Sequence, residues 1–220
     1  MFQYVLFDLD GTLTDPKVGI TSCVQYALAD AGIQEPDLDI LEPFIGPPLA
    51  DSFREFYGFN DEQIKRAIDK YHERFDQKGI FENEIIEGIP ELLKALKDAG
   101  RRVSIASSKP RPLVIRILEH FEIAQYFDTV VGSEYDGRFA TKEAVVEEAL
   151  RQLVPSVYEK EDVAMVGDRK FDIQGAKAHG LTGIGVSFGY AGEHELEDAG
   201  ADYIVDTIEE LQRLLLQGSL

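Results

Sequence analysis

Asp8 and Asp10 follow directly on the apolar run Tyr4-Val5-Leu6-Phe7, and Gly11-Thr12 comes next. An unbroken apolar run of this length predicts a strand buried on both faces. Two carboxylates at the C-terminal end of such a strand repel each other and lose hydration unless a cation or a proton compensates. The chemistry this pair suits is metal-assisted phosphoryl transfer, with one Asp as nucleophile and the other as general acid/base. Asp10-Gly11 is also a good hairpin turn. A hairpin, however, needs a second strand at once. After Pro16 the apolar residues Val18, Ile20, Val24, Ala27, Leu28 and Ala31 recur at helical spacing instead.

A second apolar run, Val163 to Val166, ends in Gly167-Asp168 and continues to Asp172. Taken singly, Asp168 reads as a helix cap and Asp172 as a solvated helix residue. Taken with Asp8 and Asp10, the four acids suit a hard octahedral cation, Mg²⁺, coordinated by carboxylates, a backbone carbonyl and water. Like charges four apart on a helix destabilise it by ~0.2–0.5 kcal/mol. Removing Asp172 is therefore expected to weaken metal binding while relieving repulsion in the metal-free protein.

Ligands of open α/β sheets sit beyond the carboxyl ends of the strands, so polar residues just after each apolar run carry the interest. Ser107-Ser108-Lys109-Pro110 follows Val103 to Ala106. Serine here either caps the helix that Pro110 helps to start or, with the free amides of that helix, cradles an anion. Thr141 is a candidate N-cap, which places Lys142 in the first helical turn. A cation there opposes the helix dipole, a placement that joint binding of a phosphate by Lys142 and the helix terminus would explain.

Other chemistries lack their residues. His72, His120, His179 and His194 show no metal-ligand spacing, and Gly183, Gly185 and Gly189 do not form a dinucleotide loop. A Gly-Lys-Ser/Thr phosphate loop and a Gly-x-Ser-x-Gly elbow are both missing. Cys23 is the single cysteine, placed within an amphipathic pattern that favours packing, so no intrachain disulfide forms. The 41 acids exceed the 22 Lys and Arg by 19, spread along the chain, which repels nucleic acid backbones and anionic membranes. A small anionic substrate must then be held by local donors and a metal. With no basic leader and no apolar stretch near the ~20 residues of a membrane helix, the cytoplasm is the expected location.

The elements that position these residues alternate. Strands are predicted at 4–7, 103–106, 129–132, 163–166, 183–186 and 203–205. Between and after them, helices are predicted at 90–99, 113–121, 141–153, 171–179, 193–199 and 208–216. Such alternation predicts an α/β fold, a doubly wound, mainly parallel sheet with a Rossmann-like core. Residues 16–86 break the rhythm with helical patterns and no convincing strand, punctuated by Pro36, Pro43, Pro47 and Pro48. They are expected to form a helical cap inserted after the first strand, with residues 1–15 and 87–220 as the core.

With these motifs in place the chain resembles the haloacid dehalogenase-like hydrolase superfamily, in its phosphoglycolate phosphatase and 5′-nucleotidase-like branch. The motifs Asp8-Leu9-Asp10-Gly11-Thr12, Ser107, Lys142 and Gly167-Asp168 with Asp172 stand in the family's order across almost the whole chain. The resemblance implies that Asp8 forms an aspartyl-phosphate and that Asp10 protonates the leaving oxygen, then activates water. It implies phosphate binding by Ser107, Ser108 and Lys142. It further implies Mg²⁺ on Asp8, the Asp10 carbonyl and Asp168, with Asp172 ligating directly or through water. Halide-removing relatives lack the acid present here as Asp10. The cap resembles the family's type 1 cap, whose loop at Gly46, Pro47 and Pro48 would face the phosphate, with Arg54 a candidate contact for a second anionic group. No Schiff-base lysine stands in that loop. Ser108 replaces an Asn common among relatives, and Lys142 follows Ala-Thr rather than completing a Gly-Lys-Pro sequence. The expected activity is hydrolysis of a small phosphorylated metabolite (phosphoglycolate, a nucleoside 5′-monophosphate or a sugar phosphate) by a monomer or homodimer. The alternatives are a sugar-phosphate mutase on the same core and a non-catalytic binding or regulatory module.

Overall fold

The computed structural model describes residues 2–154 and 158–218. The chain divides into two compact units, one comprising the chain through Thr14 together with Ile85 onward, the other Asp15 to Glu84. The first unit is built on strand β1 (Tyr4–Phe7), whose four residues are all buried. At the passage between the units, the two-residue strands β2 (Thr14–Asp15) and β3 (Glu84–Ile85) pair with each other. Strands this short leave no periodicity to read, which is why β3 leaves no strand pattern within residues 16–86 and β2 none just before them.

Strands β4 (Arg102–Pro110), β5 (Thr129–Ser133), β6 (Val163–Gly167), β7 (Thr182–Val186) and β8 (Tyr203–Val205) complete the main sheet. Its order is β5-β4-β1-β6-β7-β8, with every pairing parallel. From β1 the chain builds outward through β4 and β5, then returns to the other side of β1 for β6. The order therefore reverses at β1, the place where open α/β sheets bind ligands. Phe7 is level with Ile105 on one side and Val166 on the other, and Asp8 N–H donates to the Val166 carbonyl at 2.9 Å. The acids after β1 consequently emerge beside the ends of β4 and β6.

Helices α4 (Ile89–Asp98), α5 (Arg111–His120), α6 (Lys142–Leu153), α7 (Lys170–Ala178), α8 (Glu195–Ala199) and α9 (Ile208–Gln217) follow or link these strands. Tyr4, Leu6 and Met165 share a core with Val145, Val146 and Ala149 of α6 and Ala176 of α7. Val5 and Phe7, both fully buried, point to the opposite face by the alternation of a strand. Burial of each such side chain contributes ~1.5–3 kcal/mol. β4 runs past Ala106 to Pro110, with a register shift against β5, so Ser107 to Pro110 belong to the strand rather than following it.

The second unit holds α1 (Lys17–Asp30), α2 (Leu49–Tyr57) and α3 (Asp61–Phe75). Asn60 and Gln63 form a reciprocal cap at the start of α3, each side chain accepting the other's N–H at 3.0 Å. The rings of Phe44 and Phe53 meet edge-on, and Phe53 stacks on Phe59. No helix among the described residues is long and apolar enough to cross a membrane.

Candidate active site

Lys142 is buried in the first turn of α6, where Thr141 Oγ1 caps the helix by accepting the Ala144 N–H. Its ammonium lies 2.8 Å from Asp8 Oδ1 and 2.8 Å from Asp172 Oδ1, and donates to the Ala106 carbonyl at 3.0 Å. One lysine thus ties together the ends of β1, β4 and β6–α7. Burial alone would lower its pKa, but the carboxylates of Asp172 and Asp8 outweigh burial and hold it above the ordinary lysine value. The ammonium stays charged.

Asp168 and Asp172 are both buried. Asp168 accepts from the Tyr190 N–H at 2.8 Å and from Thr12 Oγ1 at 3.3 Å. Burial, with repulsion from Asp172 and Asp8, pushes its carboxyl well above the ordinary range. Burial likewise pushes Asp172 up to about 6, against the pull of Lys142. Asp172 Oδ2 accepts the Arg169 N–H at 3.0 Å at the start of α7. Relief of repulsion is therefore not the whole effect of removing Asp172. That change would also strip Lys142 and the start of α7 of a partner, two contacts that spacing along a helix does not reveal.

Asp8, Asp168 and Asp172 offer carboxylate oxygens all within 4.8 Å of one another. These three buried acids meet one buried lysine, which pairs with Asp8 and Asp172 but not with Asp168. A buried, all-oxygen donor set of three acids beside a single ammonium fits a hard divalent cation. The glycines leave the room. A Cβ on Gly11 or Gly189 would overlap Asp168, and one on Gly167 would overlap Asp172; Gly11 also takes φ +83°.

The Asp10 carboxylate lies outside this three-acid cluster. Its Oδ2 accepts from Lys109 Nζ at 2.5 Å, both side chains being buried, while Oδ1 has no hydrogen-bond partner among the described residues. Sequence reasoning missed Lys109. The signal was its place three residues past Ala106 on the strand that carries Ser107. Ser107 is buried and caps no helix; its hydroxyl accepts the Lys109 N–H at 3.3 Å, and α5 begins after Pro110 without a side-chain cap. Ser108 is half-buried, its carbonyl receiving a hydrogen bond from Ser133 Oγ at 2.8 Å. Asp8, Asp10, Lys109, Lys142, Asp168 and Asp172 are brought together at the centre of the sheet. Gly46, Pro47, Pro48 and Arg54 belong to the second unit, where Arg54 on α2 is exposed and pairs with Asp51 and Asp61.

A parallel sheet reversing at β1, with carboxylates and a buried lysine gathered at its carboxyl edge, defines a doubly wound α/β protein with an acid-rich site at the reversal point. The chain belongs to the haloacid dehalogenase-like hydrolase family, whose model matches residues 5–186. It is 46% identical over 196 residues to a 5′-nucleotidase of Pseudomonas aeruginosa, covering 89% of this chain and 87% of that one. It is 38% identical over 216 residues to the tyrosine-protein kinase PtkA of Mycobacterium tuberculosis, covering 97% of this chain and 72% of that one. A crystal structure described as a predicted phosphatase from Clostridium acetobutylicum superposes with TM-score 0.92 at 46% identity, covering 99% of both chains. The chain is an enzyme of the phosphatase type within that family.

Proposed function

We propose that the protein is a Mg²⁺-dependent phosphomonoesterase of the cytoplasm, hydrolysing a small phosphorylated metabolite through an aspartyl-phosphate on Asp8. The observation that carries this reading is the buried grouping of Asp8, Asp168 and Asp172 at the reversal point of the sheet, with the Lys142 ammonium on Asp8 and Asp172. Among small substrates a nucleoside 5′-monophosphate has the strongest support, from the 46% identity to a protein named 5′-nucleotidase.

An oxygen of Asp8 attacks phosphorus, and the bond from phosphorus to the ester oxygen breaks. Asp10 supplies the proton that the leaving oxygen takes. Water then attacks phosphorus while Asp10 takes its proton, releasing phosphate and restoring the Asp8 carboxylate. Lys142 keeps a positive charge against Asp8 throughout, which lowers the repulsion between carboxylate and phosphoryl oxygens. Ser107 and Ser108, at the end of β4, supply a hydroxyl and backbone groups for the phosphate. Asp8, the Asp10 carbonyl and Asp168 would hold Mg²⁺, with Asp172 beside it. When bound, the ion screens the charge between nucleophile and phosphate. The residues named so far address only the phosphoryl group. Selectivity for the leaving group is assigned to the second unit, a cap on this reading, with Gly46, Pro47, Pro48 and Arg54 as its candidates.

The test is release of inorganic phosphate from a panel of nucleoside monophosphates, phosphoglycolate and sugar phosphates, with Mg²⁺ and with EDTA. Hydrolysis that needs Mg²⁺ is expected. Full activity in EDTA overturns the metal assignment, and phosphate moved to a sugar hydroxyl rather than to water makes the protein a mutase. Because one relative is named a tyrosine-protein kinase, ATP with a tyrosine peptide belongs in the same panel. Transfer to that peptide without hydrolysis of the monoesters overturns the phosphatase reading.

A further inference from the structure

Glu195 is a carboxylate that neither the motifs nor the chemistry above uses, and it is well satisfied. It opens α8 with its side chain 14% exposed, against an Arg169 side chain 12% exposed. Oε1 accepts from Arg169 Nε at 2.9 Å and from the Lys170 N–H at 2.9 Å. Oε2 accepts from the Gly192 N–H at 3.1 Å and from Arg169 Nη2 at 3.4 Å. A carboxylate holding four donors from two loops is fixed in place, since charge-assisted hydrogen bonds are the strong ones.

The two loops it joins are those that hold the acids. Arg169 and Lys170 lie between Asp168 and Asp172, and the Arg169 N–H is the donor that fixes Asp172 Oδ2. Gly192 lies two residues past Tyr190, whose N–H fixes Asp168 Oδ2. Each acid is therefore oriented by a backbone N–H, and both N–H groups sit on segments that Glu195 clamps. The Arg169 guanidinium offsets the charge of Glu195. Glu195 touches neither acid.

We infer that Glu195 is a positioning residue for the cation site: through Arg169, Lys170 and Gly192 it fixes the two loops that orient Asp168 and Asp172. The inference rests on the reading of those acids as Mg²⁺ ligands. Groups hydrogen-bonded directly to metal ligands typically set ~10–100-fold of metal affinity, and Glu195 acts one step further out, through the segments that carry those groups.

The experiment is calorimetric titration of Mg²⁺ into metal-free protein, which needs no substrate, for the wild type, Glu195→Ala, Glu195→Gln and Glu82→Ala. Glu82 forms a comparably enclosed ion pair with Arg74 in the other unit, 20% exposed on each side, and serves as the control for loss of stability alone. Glu195→Ala is expected to weaken Mg²⁺ binding by up to about tenfold, the lower end of the range for direct partners of metal ligands. Glu195→Gln is expected to fall between, because it keeps one accepting oxygen but turns an amide NH₂ toward a backbone donor. Glu82→Ala should bind as the wild type does. The apparent Mg²⁺ requirement for turnover should rise in the Glu195 variants while kcat at saturating Mg²⁺ recovers. Should Glu195→Ala fail to fold, Glu195→Gln decides the matter alone. Unchanged affinity in the Glu195 variants overturns the positioning role and leaves the phosphatase reading standing. A wild type that binds no Mg²⁺ overturns the metal assignment and the positioning role with it.

Discussion

Two enclosed clusters of cations and acids, one in each unit, differ in their balance. In the second unit Arg74 faces Glu82 with two hydrogen bonds, at 2.6 and 3.1 Å, and Lys78 adds an ion pair at 3.0 Å. Cys23 Sγ, 3.2 Å from Arg74, is neutral because burial pushes its thiol up to about 11. The Glu82 carboxylate is thus matched by the cations around it. In the first unit one lysine serves Asp8 and Asp172 with Asp168 alongside, and Asp10 Oδ1 has no hydrogen-bond partner among the described residues. A matched pair can be explained by folding alone. An unmatched one is a standing cost that folding does not explain, so it points to a further cation and a reaction.

The sharpest break between the clusters should appear in turnover. Asp8→Asn is expected to lower kcat by on the order of 10⁴-fold or more, because an amide cannot be the nucleophile. Phosphate release by protein freed of contaminating phosphatase checks this, and activity within tenfold of wild type sinks the assignment. Asp10→Asn should cost about 10²–10⁴-fold, the usual share of a general acid and base. A normal burst and a normal steady-state rate in that variant would remove Asp10 from the chemistry.

Stability separates the clusters next. Lys142→Ala leaves three buried acids with no ammonium among them, and is expected to destabilise the metal-free protein by about 3–5 kcal/mol. Mg²⁺ should recover part of that loss. Urea melts with and without the ion measure both, and equal melts for variant and wild type without metal would mean that the lysine balances nothing.

The smallest effect lies in the matched cluster. Glu82→Gln should cost about 1–2 kcal/mol at neutral pH, less than a fully buried pair because both side chains keep some exposure. Hydrogen bonding to Arg74, with Lys78, holds Glu82 below its ordinary value of 4.5. A carboxyl lowered on folding contributes stability that is complete above its unfolded pKa and is lost as pH falls through the folded one. The penalty of the variant should therefore be full at pH 7 and shrink below about pH 4.5. A penalty of the same size at pH 7 and pH 3.5 would show that the lost contact is packing rather than charge.

The amino-acid sequence by itself determined the order of strands and helices, because apolar runs and helical spacing are local signals that burial in a sheet requires. It also placed Asp8, Asp10 and Asp168 just after such runs, and Lys142 and Asp172 in the first turns of helices, since the ends of parallel strands and the starts of the helices that follow them share one edge. What it could not supply was pairing. Nothing local says that Lys142 lies 2.8 Å from Asp8, 134 positions away, or that Lys109 reaches Asp10. The two-residue strands β2 and β3 are too short to leave a pattern, and Ser107 looked like a cap because its place inside β4 depends on the neighbouring β5. Likewise Glu195 is one acid among 41 until the sheet brings α8 beside the loop of Asp168. Periodicity records which face of an element is buried. Which charges meet is decided by the sheet order, because only the tertiary fold sets distances between segments far apart in the chain.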